Sequence, residues 1–166
     1  MGFTCNVCGT EHDEQLLDIR LGLPDAVFAL SADERERRAT MGADAGILYD
    51  AGGTLHYYVR GLLELPVAEL ERGFGFGVWV EVGEADYFRI GDLWEDAGAA
   101  GTRFGGRLAN ELEPYRDTLG LPADLVLATV DRVPEVRLRD AEHPLVDDQR
   151  GGIDLVRTHE LASTVP

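Results

Sequence analysis

The chain has 166 residues, of which 45% are hydrophobic and 28% charged, and this length and composition are typical of one globular domain. The formal net charge is −16, and all 15 basic residues are arginine. This balance argues against binding to nucleic acid or to an anionic membrane surface, since both need clustered cations. From the length and composition we predict a single domain over residues 1–166.

The first residues also bear on where the protein is found. They do not show the basic region followed by an apolar run that marks a signal peptide. No apolar stretch approaches the length of a membrane span. With only two cysteines, the chain is expected to be cytoplasmic and to lack a stable disulfide.

A predicted metal-binding knuckle occupies residues 3–12. Cys5 and Cys8 are separated by two residues, a spacing that lets a tight turn bring both sulfurs to one zinc ion at about 2.3 Å. Gly9 follows directly and can adopt the positive φ that such a turn requires. His12 lies four residues beyond Cys8, close enough in the chain to join the same site. The segment therefore supplies three candidate ligands for a structural zinc ion.

The fourth ligand has to come from a distant part of the chain. His143 is the first choice and His56 the second, with an aspartate or a water molecule as further alternatives. A site with only three protein ligands would keep a water molecule on the metal, and Glu142 or Glu11 could then act as base in a metal-assisted hydrolase. A thiol redox pair and two inert thiols are the remaining interpretations of the cysteines.

Next along the chain, residues 24–30 are predicted to be extended, and a helix is predicted from Ser31 to about residue 39. Ser31 and Glu34 form the Ser-x-x-Glu pattern of a capping box, in which each side chain binds the backbone of the other. The arginines of this segment alternate with acidic residues, which is typical of a solvent-exposed helix rather than of a phosphate-binding patch.

The central region, residues 46–138, is predicted to form the sheet. Gly52 and Gly53 separate two β-branched and aromatic segments and predict a hairpin turn with positive φ angles. Period-two alternation over 74–82 predicts a strand with one buried face. The predicted strands are 46–50, 54–60 continuing through 61–67, 74–82, 104–112, 124–130 and 133–138.

Helices are predicted at 84–94 and in a C-terminal helical segment, 147–162, that breaks near Gly151 and Gly152. Together the elements predict an α+β fold. It consists of an antiparallel sheet of about five or six strands, two or three peripheral helices and the N-terminal Cys-x-x-Cys knuckle.

Three further features of the sequence bear on function. The glycines between Gly73 and Gly77 are followed by a strand pattern rather than a helix, which excludes a nucleotide-binding loop. Arg60 lies within a predicted strand, where a buried arginine would pair with a carboxylate and an outward-facing one would not. Trp79 is predicted to pack in the core, whereas an exposed Trp94 would indicate an interface.

Short signatures spread along the chain resemble the bacterial domain-of-unknown-function family numbered 2199. The resemblance implies that Cys5, Cys8, His12 and His143 belong to the family pattern, and it implies no activity. The signatures are Phe3-x-Cys5-x-x-Cys8-Gly9-x-x-His12, Tyr57-Tyr58-Val59-Arg60-Gly61, Leu65-Pro66-Val67, Phe74, Gly77-Val78-Trp79-Val80, Gly106-x-Leu108-x-Asn110, Tyr115, Thr118, Leu121, His143-Pro144-Leu145, Gln149-Arg150 and Gly152-Ile153.

The sequence thus favours an interaction or binding module that carries a structural zinc site, over an enzyme. Its acidity would suit a basic protein partner, whose identity the sequence does not indicate. The metal-assisted hydrolase and the thiol redox protein remain as alternatives. No feature of the sequence predicts the oligomeric state.

Overall fold

A computed structural model describes residues 2–4, 9, 11–13 and 18–164. The strands in these residues are β1 Gly2–Thr4, β2 Glu11–Asp13, β3 Asp18–Arg20, β4 Ala39–Met41, β5 Ala45–Tyr49, β6 Leu55–Leu65, β7 Phe74–Val82, β8 Arg103–Leu108, β9 Pro122–Val126 and β10 Glu135–Leu138. The α-helices are α1 Asp25–Phe28, α2 Ala32–Arg38, α3 Glu84–Leu93, α4 Pro144–Gly151 and α5 Leu155–Ala162.

Five of the strands close into a barrel. The strand β6 pairs with β7, β7 with β8, β8 with β9 and β9 with β10, all antiparallel. The strand β10 then pairs with β6 in parallel and closes the barrel. At this closure Glu135 lies beside Leu62, whose amide donates a 2.8 Å hydrogen bond to the carbonyl of Pro134. The remaining strands of the eight-stranded sheet extend it on either side, β3 from β7 and the β5–β4 pair from β6.

The predicted α+β class is confirmed, but the predicted antiparallel sheet of about five or six strands was wrong in its strand number and in its pairing. The closure of five strands into a barrel was not predicted. Two of the pairings, β3 with β7 and β10 with β6, are parallel. The strands β3 and β4 have three residues each, too few to display the alternation from which strands are predicted. Barrel closure depends on contacts between distant residues, which no local pattern encodes.

The predicted number of two or three helices was wrong, since the described residues form five α-helices, but three of the predicted helix features are present. The Ser31 side chain accepts from the Glu34 amide, and the Glu34 carboxylate accepts from the Ser31 amide, so the capping box is present. The helix α3 and the break between α4 and α5 at Gly152 also match the predictions. The segment 24–30 was predicted to be extended, but Asp25–Phe28 within it form the short helix α1, whose first amide donates to the carbonyl of Ala109 at 2.9 Å.

Two hydrophobic clusters lie on opposite faces of β7. Val78 and Val80 belong to the large cluster that β6 to β10 and the C-terminal helices share. Trp79, which is 1% exposed, belongs to a second cluster whose other buried members are Val27, Leu48, Tyr58 and Ala109. The prediction of one buried face for this strand was therefore wrong, because α1 and its neighbours cover the second face. Trp79 is a core residue, as predicted.

The hairpin between β5 and β6 forms where the sequence placed it. Gly53 has a positive φ of 87°, whereas Gly52 does not adopt a positive φ. Asp50 stabilises the turn because its Oδ1 accepts hydrogen bonds at 2.9 Å from the amides of Gly52 and Thr54. In the described part of the chain, none of the helices is both long and apolar enough to span a bilayer.

Candidate functional site

A groove of about 680 Å³ lies between α3 and the turn that joins β4 to β5. Its volume falls within the range of small-ligand and peptide-anchor sites, and more of its lining is apolar than polar. The lining residues are Gly42, Ala43, Asp44, Ala45, Val59, Tyr87, Phe88, Ile90, Gly91, Asp92, Trp94 and Glu95.

Aromatic side chains of α3 form one wall of the groove. Phe88 is 54% exposed, which is unusual for a phenylalanine. Its ring centroid lies 6.0 Å from that of Tyr57 and 5.5 Å from that of Tyr87, in edge-to-face contacts. The ring is therefore held in place by its neighbours while much of its surface stays exposed. Trp94, half-buried at the end of the same helix, continues the wall.

The polar groups of the groove are carboxylates. Asp44 Oδ1 lies 3.2 Å from Arg60 Nη2, and the two groups form an ion pair without a hydrogen bond. The backbone amide of Arg60 donates a hydrogen bond to the backbone carbonyl of Asp44 at 2.8 Å. Asp92 is exposed on α3, and Glu95 is exposed in the turn that follows the helix. No arginine or histidine is among the groove residues. The groove thus combines an apolar wall with an acidic margin, which favours an occupant that is apolar and cationic.

Arg60 is therefore a partly buried strand residue that pairs with a carboxylate. Of its two sequence interpretations, this agrees with the buried, paired arginine rather than with the outward-facing, unpaired one. Its side chain is 23% exposed. By contrast, Asp44 and Phe88 were not among the predicted site residues. The exposed aromatic in the amphipathic pattern of α3 was the one available signal, since a helix that packs by one face does not need a phenylalanine on the other.

The predicted metal ligands are placed only in part. Cys5 and Cys8 lie outside the described residues, in the stretch of chain between β1 and β2. His12 is in β2, opposite Phe3 of β1. Gly9 has a φ of +72°, as the knuckle prediction required. Within the described residues no group of three or more His, Cys, Asp or Glu is arranged to hold a metal ion. The described residues include neither cysteine, so the zinc site stays a prediction.

His143 is the N-cap of α4. Its Nδ1 accepts a hydrogen bond from the Leu145 amide at 3.1 Å, and its Nε2 lies 2.9 Å from the carbonyl of Arg116. Since Nδ1 accepts from an amide and Nε2 faces a carbonyl, the proton is assigned to Nε2. Both ring nitrogens are thus engaged, and binding a metal would displace one of these partners.

A polar depression of about 660 Å³ surrounds His143. It is more open than the groove, and its lining includes Glu142, Asp147 and Arg150. A catalytic role for His143 needs a ring nitrogen that is free to exchange a proton with a substrate. Because both nitrogens are engaged, we regard the groove as the better candidate site.

His56, the second-choice ligand, is held between two carboxylates. Its Nδ1 lies 2.6 Å from Glu81 Oε1 and its Nε2 lies 2.8 Å from Asp50 Oδ2. The hydrogen bond to Asp50, followed by that to Glu81, raises the pKa of His56. The same contact with His56 lowers the pKa of Asp50. The imidazolium thus clamps the β5–β6 turn to β7.

This clamp predicts a pH-dependent stability. The pKa of His56 is higher in the folded than in the unfolded protein. The protonated ring therefore stabilises the folded state fully below the unfolded pKa of about 6.5, and this stabilisation is lost as pH rises through the pKa of the folded state. We expect His56→Gln to lower the free energy of unfolding most at about pH 6, with the difference shrinking at alkaline pH. Urea unfolding of the wild type and the variant between about pH 5 and pH 9 measures this difference in the free energy of unfolding. A difference that is constant over this range would contradict the clamp.

Comparison with protein families gives one match. A family model described as "Uncharacterized protein conserved in bacteria (DUF2199)" matches residues 4–153. Comparisons with curated proteins and with solved structures gave no match.

Proposed function

Since the chain belongs to the bacterial family DUF2199, as its sequence signatures indicated, and that family is uncharacterized, we propose a function from the groove itself. The protein is an interaction module. Its groove takes a segment of a partner polypeptide that presents an apolar side chain next to an arginine or lysine. A structural zinc ion in the N-terminal knuckle accompanies this role.

The observation that carries the proposal is the exposed aromatic wall with carboxylates at its margin. An exposed phenylalanine loses unfavourable contact with water when a partner covers it, at about 25 cal/mol per Å² of apolar surface. The carboxylates of Asp92 and Glu95 then favour a cation beside the apolar anchor. The formal net charge of −16 attracts basic partners over a longer range and accelerates their encounter.

Support for the zinc ion comes from the N-terminal segment. The antiparallel pairing of β1 with β2 makes the segment a hairpin whose connection contains both cysteines. The positive φ of Gly9 and the place of His12 in β2 fit a knuckle with ligands Cys5, Cys8 and His12. His143 completes the set if it releases the Arg116 carbonyl, and a water or carboxylate completes it otherwise.

A peptide titration tests the groove. The probe is acetyl-Ala-Leu-Arg-Leu-Arg-Ala-amide, and its control has glutamate in place of both arginines. We expect the arginine peptide to cause saturable changes in the amide NMR shifts of Gly42 and Gly91, which line the groove. Phe88→Ala should weaken binding about tenfold, the effect of about 1.4 kcal/mol of lost apolar contact.

Phe28→Ala is the matched control, because Phe28 is 71% exposed and lies outside the groove. It should bind the peptide like the wild type. The combined variant Asp92→Asn/Glu95→Gln should weaken binding of the arginine peptide and reduce its preference over the glutamate peptide. The proposal fails if neither peptide saturates the groove, or if Phe88→Ala and Phe28→Ala bind equally well.

A further inference from the structure

We infer that the outer face of β8, β9 and β10 contains a second binding site, for a ligand that carries a carboxylate or phosphate group. The site is independent of the groove, with which it shares no residue. We call this surface the arginine face. Its charged residues are Arg103, Arg107, Asp124, Glu135, Arg137 and Arg139.

Strand register places these side chains on one side of the sheet. Arg103 lies beside Val126, which in turn lies beside Glu135, and the next row contains Gly105, Asp124 and Arg137. Arg107 lies beside Pro122, whose carbonyl accepts a 2.9 Å hydrogen bond from the amide of Arg139. Intervening residues of the three strands, such as Phe104, Leu125 and Val136, are buried in the barrel, so the arginines point outward.

The arginine face has the opposite charge to the protein as a whole. Four arginines and two carboxylates give it a formal charge of +2, on a chain whose formal net charge is −16. The side chains of Arg103, Arg137 and Arg139 are 52–54% exposed, although each also pairs with a carboxylate of the same face, Glu135 or Asp124. A long polyanion such as nucleic acid would be repelled by the rest of the surface, whereas a small anion contacts only this face.

Arg139 is fixed in place against the sheet. Its Nε and Nη2 lie 2.8 and 2.7 Å from Oδ1 of Asp124, which also pairs with Arg103 at 3.3 Å. The guanidinium lies over Gly105, where an added Cβ would come within 2.3 Å of Nη2. Because one edge of the group is anchored, less side-chain entropy is lost when another edge binds an anion.

A depression of about 440 Å³ lies between Arg139 and Arg107, and its lining also includes Gly105, Gly106 and one acidic residue, Glu81. Arg107 donates to the Gly120 carbonyl at 3.3 Å and makes no ion pair with a carboxylate in the described parts of the chain. Its neighbour in register on β7 is Glu81, whose carboxylate binds His56 instead. Two guanidinium groups therefore flank an opening in which an anion would supply the partner that Arg107 lacks.

Amide NMR titrations with inorganic pyrophosphate and with citrate test the site, at ionic strength held constant with sodium chloride. We expect saturable shift changes at Gly105 and Gly106 with at least one probe. Binding by pyrophosphate alone assigns a phosphate ligand, binding by citrate alone a carboxylate ligand, and binding by both the shared chemistry. Each variant, Arg107→Gln or Arg139→Gln, should weaken binding about tenfold, the effect of losing one charge-assisted hydrogen bond.

Arg37→Gln is the control, because it removes the same charge from α2, whose described contacts do not include the arginine face. It should leave both affinities unchanged. The inference is overturned if neither probe saturates, or if Arg37→Gln weakens binding as much as Arg107→Gln does. Arg139→Gln removes an ion-pair partner of Asp124 and could disturb the sheet. Arg107→Gln removes no ion pair of the described residues, so weaker binding by this variant cannot be attributed to misfolding through a lost ion pair.

Discussion

Replacement of Asn110 by alanine is expected to lower the free energy of unfolding by about 3–5 kcal/mol. Asn110 is 1% exposed, and its amide joins three separate segments. Its Oδ1 accepts from the Trp79 amide at 2.8 Å, and its Nδ2 donates to the Leu23 carbonyl at 2.9 Å and to Asp25 Oδ1 at 3.0 Å. The variant leaves these groups unpaired, and each buried group without a partner costs about 1–3 kcal/mol.

Urea unfolding measured by fluorescence gives the change directly. Ser31→Ala is the matched reference, since it removes hydrogen bonds at an exposed helix N-cap and is expected to cost about 1 kcal/mol. A loss for Asn110→Ala no larger than that of Ser31→Ala would show that water satisfies the exposed partners. The three segments would then be joined by apolar packing alone.

Substitution of Cys5 and Cys8 by serine is expected to reduce bound zinc from about one ion per chain to none, because thiolates supply half of the four ligands of a structural site. Elemental mass spectrometry on untagged protein, purified without chelator, measures the change. The barrel should stay folded in the variant, since its hydrophobic cluster forms among β6 to β10 and the C-terminal helices. Wild-type protein without metal would contradict the zinc proposal and leave a redox pair or inert thiols.

The fourth ligand can be identified in the same experiment. His143→Ala lowers zinc affinity if His143 binds the metal, and otherwise removes only the N-cap of α4 and the hydrogen bond to the Arg116 carbonyl. His56→Ala provides the comparison, because His56 was the alternative ligand and is occupied by Asp50 and Glu81. A site that loses zinc in neither variant takes its fourth ligand from water or a carboxylate.

The elements that the sequence predicted well are those with a local cause. The capping box at Ser31 and the hairpin turn at Gly53 depend on residues within four positions of one another. The strand over 74–82 has a long alternating pattern. In each case the backbone conformation follows from neighbouring side chains, so a single sequence is enough to find it.

The features that were missed depend on residues far apart in the chain. Asp25 begins a helix because Ala109 and Asn110 bind it across more than 80 residues. His56 is clamped by Glu81, which lies 25 residues away, and this contact has no sequence signature. The groove and the arginine face likewise need the strand register of the folded sheet. The family resemblance predicted membership correctly, but it brought no activity with it.

The path of β6 explains why a groove exists at all. The first half of this strand, up to Val59, pairs with β5, whereas Leu62 lies beside β10. Gly61 stands at the changeover, where an added Cβ would come within 2.6 Å of Val136 and 2.8 Å of the Pro134 carbonyl. Two neighbours thus share one side of a single strand and must diverge from it. Asp44, which contacts Arg60 at this divergence, is also a groove residue. Backbone pairing with β6 therefore places Asp44 at the groove independently of the side chains that α3 presents to it.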